Sequence, residues 1–281
     1  MMQFSRPIIT LITDFGLEDP FVGVMKGVIY SINPEAAIVD ITHGIASHDI
    51  LEAALAVRSS YGFFPPGTIH VAVVDPGVGT SRRPLLLVTE NHCFVGPDNG
   101  LFWPVYQSVS NPLALQLTEE EYFLRPVSHT FHGRDIFAPV AAWLSKGVDP
   151  RKMGKPVSTP TELNIPGIRK IGSSKLIGTV LRVDKFGNVI TNLTAEDLPP
   201  TEGASTPYLI HIGSRRISQF RRAYAGATPG ELFAIWGSSG RLEISVNQAS
   251  AAILLGAHKG QEFDVEIKSL VQSASSGIME W

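Results

Sequence analysis

The stretch V-V-D-P-G-V-G-T-S-R-R, residues Val73–Arg83, joins the end of a predicted strand to a tight turn with charged side chains. It overlaps the apolar run Thr68–Val74, whose β-branched residues predict a buried strand. The strand ends at Asp75, and the proline and two glycines that follow let the backbone turn tightly. Ligands usually bind where strands of an open α/β sheet end, so Asp75, with Arg82 seven residues later, is a candidate for a binding site.

A second stretch, Thr130–Asp135 (T-F-H-G-R-D), places a histidine just before an amphipathic run. Apolar residues recur at helical spacing after it and predict a helix over Arg134–Leu144. We therefore expect His132 in a loop at a helix N-terminus. An acid, a guanidinium and an imidazole on two loops are predicted to converge on one small pocket.

The first half of the chain alternates strands with helices. A strand from Pro7 ends before Asp14, and a helix follows with Asp19 as its N-cap and Pro20 at its first position. Further strands are predicted at Ala37–Ile41, Leu85–Thr89 and Cys93–Gly96, with a helix at Asp49–Ser60 that Asp49 and Glu52 cap. The alternation predicts an α/β domain over residues 1–155, with a mostly parallel sheet flanked by helices.

Several polar residues of this half have both a functional and a structural interpretation. Asp14 ends a strand that faces a helix N-terminus, which favours a role in ligand binding. Asp19 is also a plausible cap, His43 a loop residue and Asn99 a turn residue. A metal cluster of Asp14, Asp19, His43 and His132 has no diagnostic spacing, and we predict no metal. The nucleotide-binding glycine motifs and the G-x-S-x-G elbow are absent, which argues against a dinucleotide fold, an ATPase and an α/β-hydrolase.

The second half has a different pattern. Residues 156–173 are rich in Pro, Gly, Lys and Ser and are predicted to be a linker. Residues 174–281 predict a smaller β-rich domain, a barrel or a sandwich, with one helix near Ala249–Leu255. Its strands are predicted at Ile177–Val183, Val189–Asn192, Tyr208–Ile212, Leu232–Trp236, Leu242–Val246 and Phe263–Ile267. Two polar turns, Asp184–Asn188 and Gly237–Gly240, are either ordinary turns or parts of a site.

Composition narrows the class of protein. The chain has 281 residues and a formal net charge of −3, so nothing electrostatic suggests nucleic acid or an anionic membrane as a partner. Cys93 is the single cysteine, which favours a reducing compartment. No apolar run approaches the roughly 18 residues of a membrane-spanning helix. Asp14 also comes too early for a signal peptide, so we expect a cytoplasmic protein.

The motifs resemble a known family when they are taken in order. T-D-F-G, V-D-P-G-V-G-T-x-R-R, P-D-N-G, F-H-G-R-D, D-x-F-G-N-x-x-T-N and G-S-S-G are similar to those of the S-adenosylmethionine (SAM) hydroxide adenosyltransferases, which are related to fluorinase and chlorinase. The resemblance runs from about Pro7 to Ile267. It implies an α/β N-terminal domain, a β C-terminal domain, and a homotrimer that binds SAM between neighbouring subunits. It also implies substitution at the ribose 5′ carbon, giving adenosine and L-methionine without a resident cofactor.

The resemblance also implies roles for individual residues. Asp75, Arg82 and His132 match the triad proposed to position and activate water. The residues implied to bind substrate are Asp14 at the ribose hydroxyls, Asp19 at the methionine ammonium, Asp184, Asn188 and Ser238 toward the methionine end, Phe186 and Tyr224 along the nucleoside, and the backbone of Val246–Gln248 at the adenine edge. Asn99 in P-D-N-G and Ser239 in G-S-S-G are further candidates for substrate binding.

Departures from the halogenases favour water as the nucleophile. Asp75 stands where those enzymes carry a tyrosine, and Gly133 where fluorinase has a halide-binding serine. Ser239 replaces an arginine, and a long insertion is missing between Leu85 and Gly96. An ionised carboxylate would repel a halide. We expect Arg82 to lower the pKa of Asp75, while the choice of Asp75 or His132 as proton acceptor stays open.

Two other classes of function remain as alternatives. One is a regulatory protein that binds SAM or adenosine without turnover, and the other is a metal-dependent nucleoside or phosphoester hydrolase. The triad distinguishes the first alternative from an enzyme, and metal dependence distinguishes the second.

Overall fold

The computed structural model describes residues 6–200 and 206–268, and the chain divides into two units between Asn164 and Ile165. The first unit contains a seven-stranded sheet in the order β2-β1-β3-β5-β4-β6-β7. Its strands are β1 (Ile8–Thr13), β2 (Ala37–Thr42), β3 (Thr68–Val73), β4 (Pro84–Val88), β5 (His92–Pro97), β6 (Leu113–Leu117) and β7 (Gly154–Pro156). The predicted linker, residues 156–173, spans the division between the units.

The sheet of the first unit is mixed. Strands β2, β1, β3 and β5 run parallel to one another, as predicted, whereas β4 pairs antiparallel with both β5 and β6, and β7 pairs antiparallel with β6. The connection between β4 and β5 is only Thr89–Asn91, too short for the crossover that a parallel pair needs. The predicted mostly parallel sheet is therefore present in one half of the sheet only.

Helices cover both faces of this sheet. They are α1 (Phe21–Ile32), α2 (Ile50–Ser60), α3 (Trp103–Ser108) and α4 (Ala138–Ser145). Helices α1 and α4 pack with Leu11 and Val71 on one face. Helices α2 and α3 pack with Ile12 and Ala72 on the other. Alternate residues of the central strands thus face two separate cores, as expected for a sheet buried on both sides.

Two predicted helix starts differ from the structure in detail. Asp19 is not the cap of α1, because Pro20 occupies the N-cap position with φ −74° and ψ −2° and no side chain caps the helix. The predicted cap of α2 is confirmed, since Asp49 accepts a hydrogen bond from the Glu52 N–H at 2.9 Å. The helix predicted from Arg134 begins as a π-helical turn, Gly133–Phe137, before α4.

The π-helical turn is consistent with a proline in the first turn of α4. Pro139 has no N–H to donate to the carbonyl of Asp135, four residues earlier. That carbonyl instead accepts the Leu124 N–H at 2.8 Å. The loop before His132 is tied to the helix start in this way.

The second unit is β-rich, as predicted. Its strands are β8 (Arg169–Ile171), β9 (Lys175–Val183), β10 (Val189–Thr194), β11 (Tyr208–Ile212), β12 (Arg215–Ile217), β13 (Phe220–Arg221), β14 (Leu232–Trp236), β15 (Arg241–Val246) and β16 (Glu262–Ile267), with helix α5 at Ala251–Leu255. The strand order is β12-β11-β16-β9-β10-β15-β14-β13, with β8 paired to β9. Because β12 and β13 lie at opposite ends of this order but only two residues separate them, the sheet must curl into a half-barrel.

None of the helices among the described residues is both long enough and apolar enough to cross a membrane.

We expect the substitution Gly96→Ala to destabilise the first unit. A Cβ at this position of β5 would lie 2.2 Å from the Ala72 carbonyl oxygen, and backbone cannot move aside as a flexible side chain can. Overpacking of this kind costs about 1–3 kcal/mol, which chemical denaturation would measure. The matched control is Gly23→Ala on α1, where a Cβ meets nothing within 4 Å. Gly23→Ala should raise the free energy of unfolding by about 0.5–1 kcal/mol, because alanine favours the helix over glycine. Equal effects of the two substitutions on the free energy of unfolding would contradict the prediction.

Candidate active site

A cavity of about 360 Å³ opens in the first unit where strands β1 and β3 end. Asp14 directly follows β1, and Asp75 lies two residues after the end of β3. These strands are parallel neighbours, with Thr13 beside Val73. The chain passes from β1 to β2 on one side and then to β3 on the other, so the cavity lies at the switch point of the sheet, where such folds bind ligands. The lining residues are Asp14, Phe15, Asp19, Phe21, Ser47, His48, Val73, Asp75, Val78, Thr130, Phe131, His132 and Gly133.

The structure brings Asp75, Arg82 and His132 into direct contact. The Arg82 Nε donates to Asp75 Oδ1 at 3.0 Å, and Nη2 donates to Oδ2 of the same carboxylate. The same Nη2 lies 2.9 Å from Nδ1 of His132. The Arg82 and Asp75 side chains are only 8% and 5% exposed. Arg83 points elsewhere and pairs with Asp98 at 2.5 Å, so Arg82 is the arginine of this cluster.

A glycine permits the close approach of the two loops that carry this cluster. Gly79 has φ +75°, a conformation that side chains other than glycine rarely adopt. A Cβ there would lie 2.1 Å from the His129 carbonyl oxygen. The Asp75–Arg82 turn can therefore press against the segment that leads to His132.

Burial dominates the pKa shifts in the cluster. Desolvation raises the pKa of Asp75 above its ordinary value, although Arg82 acts to lower it. Arg82 thus lowers the pKa of Asp75 as predicted, but the cost of burying the carboxylate is the larger effect and the net shift is upward. Desolvation, helped by Arg82, lowers the pKa of His132. The imidazole is thus favoured in its neutral form.

The contact with Arg82 also determines where the neutral imidazole of His132 carries its proton. A guanidinium can only donate hydrogen bonds, so Nδ1 of His132 must be the acceptor of the 2.9 Å contact. The ring proton then lies on Nε2. His132 can present this Nε2–H as a donor, and Nδ1 is not free to take a proton while Arg82 holds it.

Asp14 is oriented by a backbone donor that sequence reasoning missed. Its Oδ2 accepts the His48 N–H at 2.8 Å, and His48 has φ +67°. His48 and Ser47 also line the cavity. A backbone donor leaves no pattern in the sequence, although His48 directly precedes the recognisable cap Asp49. Asp19, which does not cap α1, is available on the cavity wall.

Three aromatic rings form a wall of the cavity. Phe15, Phe21 and Phe131 meet edge to face, with ring centroids 5.3–5.9 Å apart. Phe21 is 42% exposed although it is a large apolar side chain. Aromatic faces attract cations and stack with flat rings.

Asn99 lies outside the cavity lining and holds the backbone next to Asp75. Its Nδ2 donates to the Val74 carbonyl at 2.8 Å, and its Oδ1 accepts the Leu101 N–H at 3.3 Å. The contacts place Asn99 as a support for the end of the strand that leads to Asp75.

In the second unit, Asp184 and Asn188 form one hydrogen-bonded turn. Asp184 Oδ1 accepts the N–H groups of Phe186 and Asn188, each at 2.8 Å, and Oδ2 accepts from Asn188 Nδ2 at 2.8 Å. The ring of Phe186, at the tip of this turn, is 67% exposed. The turn therefore presents an aromatic face to its surroundings while the acid is held in a defined orientation.

Tyr224 is joined to an acid that the sequence analysis missed. Its hydroxyl donates to Glu243 Oε2 at 2.8 Å, and Glu243 is 7% exposed. Burial raises the pKa of Glu243, and the nearby charge of Asp184 raises it further. Burial and Glu243 also raise the pKa of Tyr224 to about 12. The strand β15 reads R-L-E-I-S-V and alternates polar with apolar residues, so nothing in its sequence marks Glu243 as a buried acid.

The remaining predicted residues lie in turns of the same unit. Ser238 and Ser239 are exposed in the turn between β14 and β15. Val246 is buried, whereas Gln248 is exposed with φ +61° just after β15. Within the described ranges, no group of three or more His, Cys, Asp or Glu side chains is arranged to hold a metal ion.

The fold and the cavity define an α/β protein with a candidate ligand site at the switch point of its sheet. Comparison with known proteins identifies the family. This chain belongs to the SAM hydroxide adenosyltransferases: the models of that family's N-terminal and C-terminal domains match residues 9–154 and 178–264. A relative from Thermus thermophilus named (R)-S-adenosyl-L-methionine hydrolase is 37% identical over 91% of this chain and 97% of its own.

Structural and more distant relatives agree with this assignment. A crystal structure of an uncharacterized conserved protein from Thermotoga maritima is similar with a TM-score of 0.85 and 35% identity, over 92% of this chain and 99% of that one. A protein from Nocardia brasiliensis named fluorinase is 27% identical over 69% of this chain and 73% of its own.

We expect the substitution Arg82→Gln to raise the pKa of His132. The change removes a positive charge that disfavours the imidazolium and leaves the carboxylate of Asp75, which favours it. An NMR titration of the histidine ring protons measures the shift, with His132→Ala assigning the signal. Arg83→Gln is the control, because Arg83 pairs with Asp98 instead. A His132 pKa that is unchanged or lower in Arg82→Gln would contradict the electrostatic account.

Proposed function

We propose that this protein hydrolyses SAM to adenosine and L-methionine. The observation that carries the proposal is the buried Asp75–Arg82–His132 cluster, two of whose members line a cavity at the switch point of the sheet. Membership of the hydroxide adenosyltransferase family and the name of the Thermus relative support the same reaction.

The proposed reaction is an in-line substitution at the ribose 5′ carbon. The oxygen of a water molecule forms a bond to that carbon, and the carbon–sulfur bond breaks as the sulfur leaves with its electron pair. The sulfonium becomes the neutral thioether of methionine, so the leaving group needs no proton. One proton is released from the water, so the site needs a group that orients the water and a base that accepts this proton.

Asp75 is the better candidate for the base. Burial raises the pKa of its carboxyl group, which makes the carboxylate a stronger proton acceptor than an exposed one. Nδ1 of His132 is engaged by Arg82, so its Nε2–H is left to donate a hydrogen bond to the water. Arg82 keeps Asp75 oriented through two hydrogen bonds and remains charged throughout.

The walls of the cavity suit a cationic nucleoside. SAM carries a sulfonium and an ammonium, and the cavity contains the carboxylates of Asp14, Asp19 and Asp75. We assign Asp14 to the ribose hydroxyls and Asp19 to the methionine ammonium. The aromatic wall of Phe15, Phe21 and Phe131 can contact the sulfonium or the flat base. Three carboxylates in one cavity also disfavour a halide as the nucleophile.

The second unit supplies the other proposed contacts. We assign Asp184, Asn188 and Ser238 to the methionine end, with Ser239 beside them as a further substrate contact, Phe186 and Tyr224 to the nucleoside, and the backbone of Val246–Gln248 to adenine. Asn99 supports the site from behind Asp75. We propose that the protein is a homotrimer in which these groups come from a neighbouring subunit. We also place the protein in the cytoplasm, where the partly buried thiol of Cys93, whose pKa burial raises to about 11, would stay reduced.

The first test is an assay of the purified protein with SAM, in which chromatography detects adenosine. Asp75→Asn should reduce kcat by about a hundredfold or more, because it removes the proton acceptor. Glu120→Gln is the control, since Glu120 is an exposed acid that pairs with Arg125. Adenosine formation should continue in the presence of a chelator, because the proposal requires no metal or cofactor.

Each contrary outcome of this assay has a defined meaning. Tight binding of SAM with the ligand recovered intact would contradict turnover and favour a regulatory binding protein. Loss of activity with a chelator would favour a metal-dependent hydrolase. Equal rates for the Asp75→Asn and Glu120→Gln variants would remove Asp75 from the chemistry.

A second test mixes two inactive variants. If each site combines Asp75 of one subunit with Asp184 of another, subunits carrying Asp75→Asn and subunits carrying Asp184→Asn should complement each other after joint refolding. Random assembly leaves about a quarter of the sites intact, so about a quarter of the wild-type activity should return. Activity no greater than the sum of the separate variants, or an active monomer on sedimentation, would contradict the shared site.

A further inference from the structure

We infer that His43 is a positioning residue that holds the turn of Asp14 in its binding conformation, through a series of contacts that runs from Asp40 at the surface through the buried His43 to Thr13. The inference rests on the proposed function, because it gives the turn its importance for substrate. His43 is 6% exposed and Thr13 is fully buried. Neither side chain is among the residues that line the cavity.

His43 contacts the Asp14–Gly16 turn through both its backbone carbonyl and its imidazole ring. Its carbonyl oxygen accepts the Gly16 N–H at 2.9 Å. Its Nδ1 lies 2.8 Å from the hydroxyl of Thr13, and this hydroxyl accepts the Phe15 N–H at 3.2 Å. The backbone on both sides of Asp14 is thereby connected to one buried imidazole. Movement of the backbone that carries Asp14 would require these contacts to break, and the carboxylate would then lose the position in which it accepts the His48 N–H.

The contacts define which nitrogen of His43 carries the proton. Thr13 already accepts a hydrogen bond from Phe15, so its own hydroxyl proton is free to be donated to Nδ1 of His43. On the other side of the ring, Nε2 lies 3.1 Å from Oδ1 of Asp40. A carboxylate stabilises an N–H group and repels a bare ring nitrogen. Both neighbours therefore favour the tautomer with its proton on Nε2.

At the surface, this series of contacts ends at Asp40 and Lys26. Asp40 Oδ2 lies 2.5 Å from Nζ of Lys26 on α1. Partial burial raises the pKa of Asp40, but the nearby Lys26 and His43 outweigh burial and lower it overall. The carboxylate is thus ionised when it faces the imidazole. A bulge at this point, where Leu11 pairs with Asp40 but Ile12 pairs with Thr42, shifts the register of β2 just before His43.

The Thr13–His43 contact is expected to contribute to substrate binding and not to the chemical step. Asp14 is assigned to the ribose hydroxyls, which do not change during the substitution. A contact that is equal in the ground state and the transition state affects KM and leaves kcat nearly unchanged. Loss of the Thr13–His43 contact should therefore appear mainly in KM.

The molecule contains a matched control for this experiment. Thr10, on the same strand as Thr13, is also fully buried, and its hydroxyl also lies 2.8 Å from Nδ1 of a buried histidine, His70. That pair lies outside the cavity lining and outside the turn of Asp14. Thr10→Val and Thr13→Val thus remove the same kind of contact from two places in one core.

The experiment compares SAM hydrolysis and thermal stability in the two variants. Thr13→Val should raise KM by about tenfold, as expected for a lost hydrogen bond that orients a charged group, with kcat nearly unchanged. Both variants should lower the melting temperature, and by similar amounts, because each loses one buried hydrogen bond. Thr10→Val should nevertheless leave KM unchanged. Thr13→Ser, which keeps the hydroxyl, should restore KM. An unchanged KM in Thr13→Val, or an equal rise in Thr10→Val, would overturn the inference.

A second measurement does not depend on activity. Nitrogen-15 NMR of the histidine rings in the wild-type protein, with the His43 signal assigned through His43→Asn, should show the proton of His43 on Nε2. A proton on Nδ1 would overturn the inference even if SAM is hydrolysed. An absence of SAM hydrolysis in the wild-type protein would overturn the proposed function and leave this tautomer result standing, so the two failures are distinguishable.

Discussion

The interaction on which the rest of the site depends is the paired hydrogen bond between Arg82 and Asp75. Burying a carboxylate and a guanidinium is costly unless each satisfies the other, and removing either partner would leave an uncompensated charge. Because Nη2 of Arg82 also reaches His132, one side chain both opposes the burial-driven rise in the pKa of the acid and sets the tautomer of the imidazole. The loops that carry these groups are therefore constrained by electrostatics as much as by packing.

The sheet supplies the geometry that this interaction needs. Asp14 and Asp75 follow neighbouring parallel strands, so the side-by-side register of those strands brings two acids to one edge. Gly79 lets the turn after Asp75 approach the loop of His132, and Asn99 secures the strand end from behind. The sheet places the two acids, and the loops bring the remaining groups to them, which is a common arrangement in enzymes.

The strands of the first unit and the position of the cavity could be predicted from the sequence, because both follow from local patterns of residues. β-Branched runs marked the strands, and an acid after two of them marked the cavity. What could not be predicted depends on contacts between distant segments: the desolvation that raises the pKa of Asp75, and the backbone donor of His48 to Asp14. The burial of Glu243 could not be predicted either, because its strand alternates polar with apolar residues and only the contact with Tyr224 identifies it as part of a pair.

The left-handed backbone of His48 has a consequence for engineering this cavity. The N–H of this residue holds Asp14, so its main-chain conformation is constrained while its side chain, which lines the opening, is not. Glycine and asparagine adopt that conformation readily, and β-branched residues adopt it poorly. A library that aims to admit bulkier nucleosides would therefore gain from asparagine or glycine at position 48 and would lose folded members with valine or isoleucine.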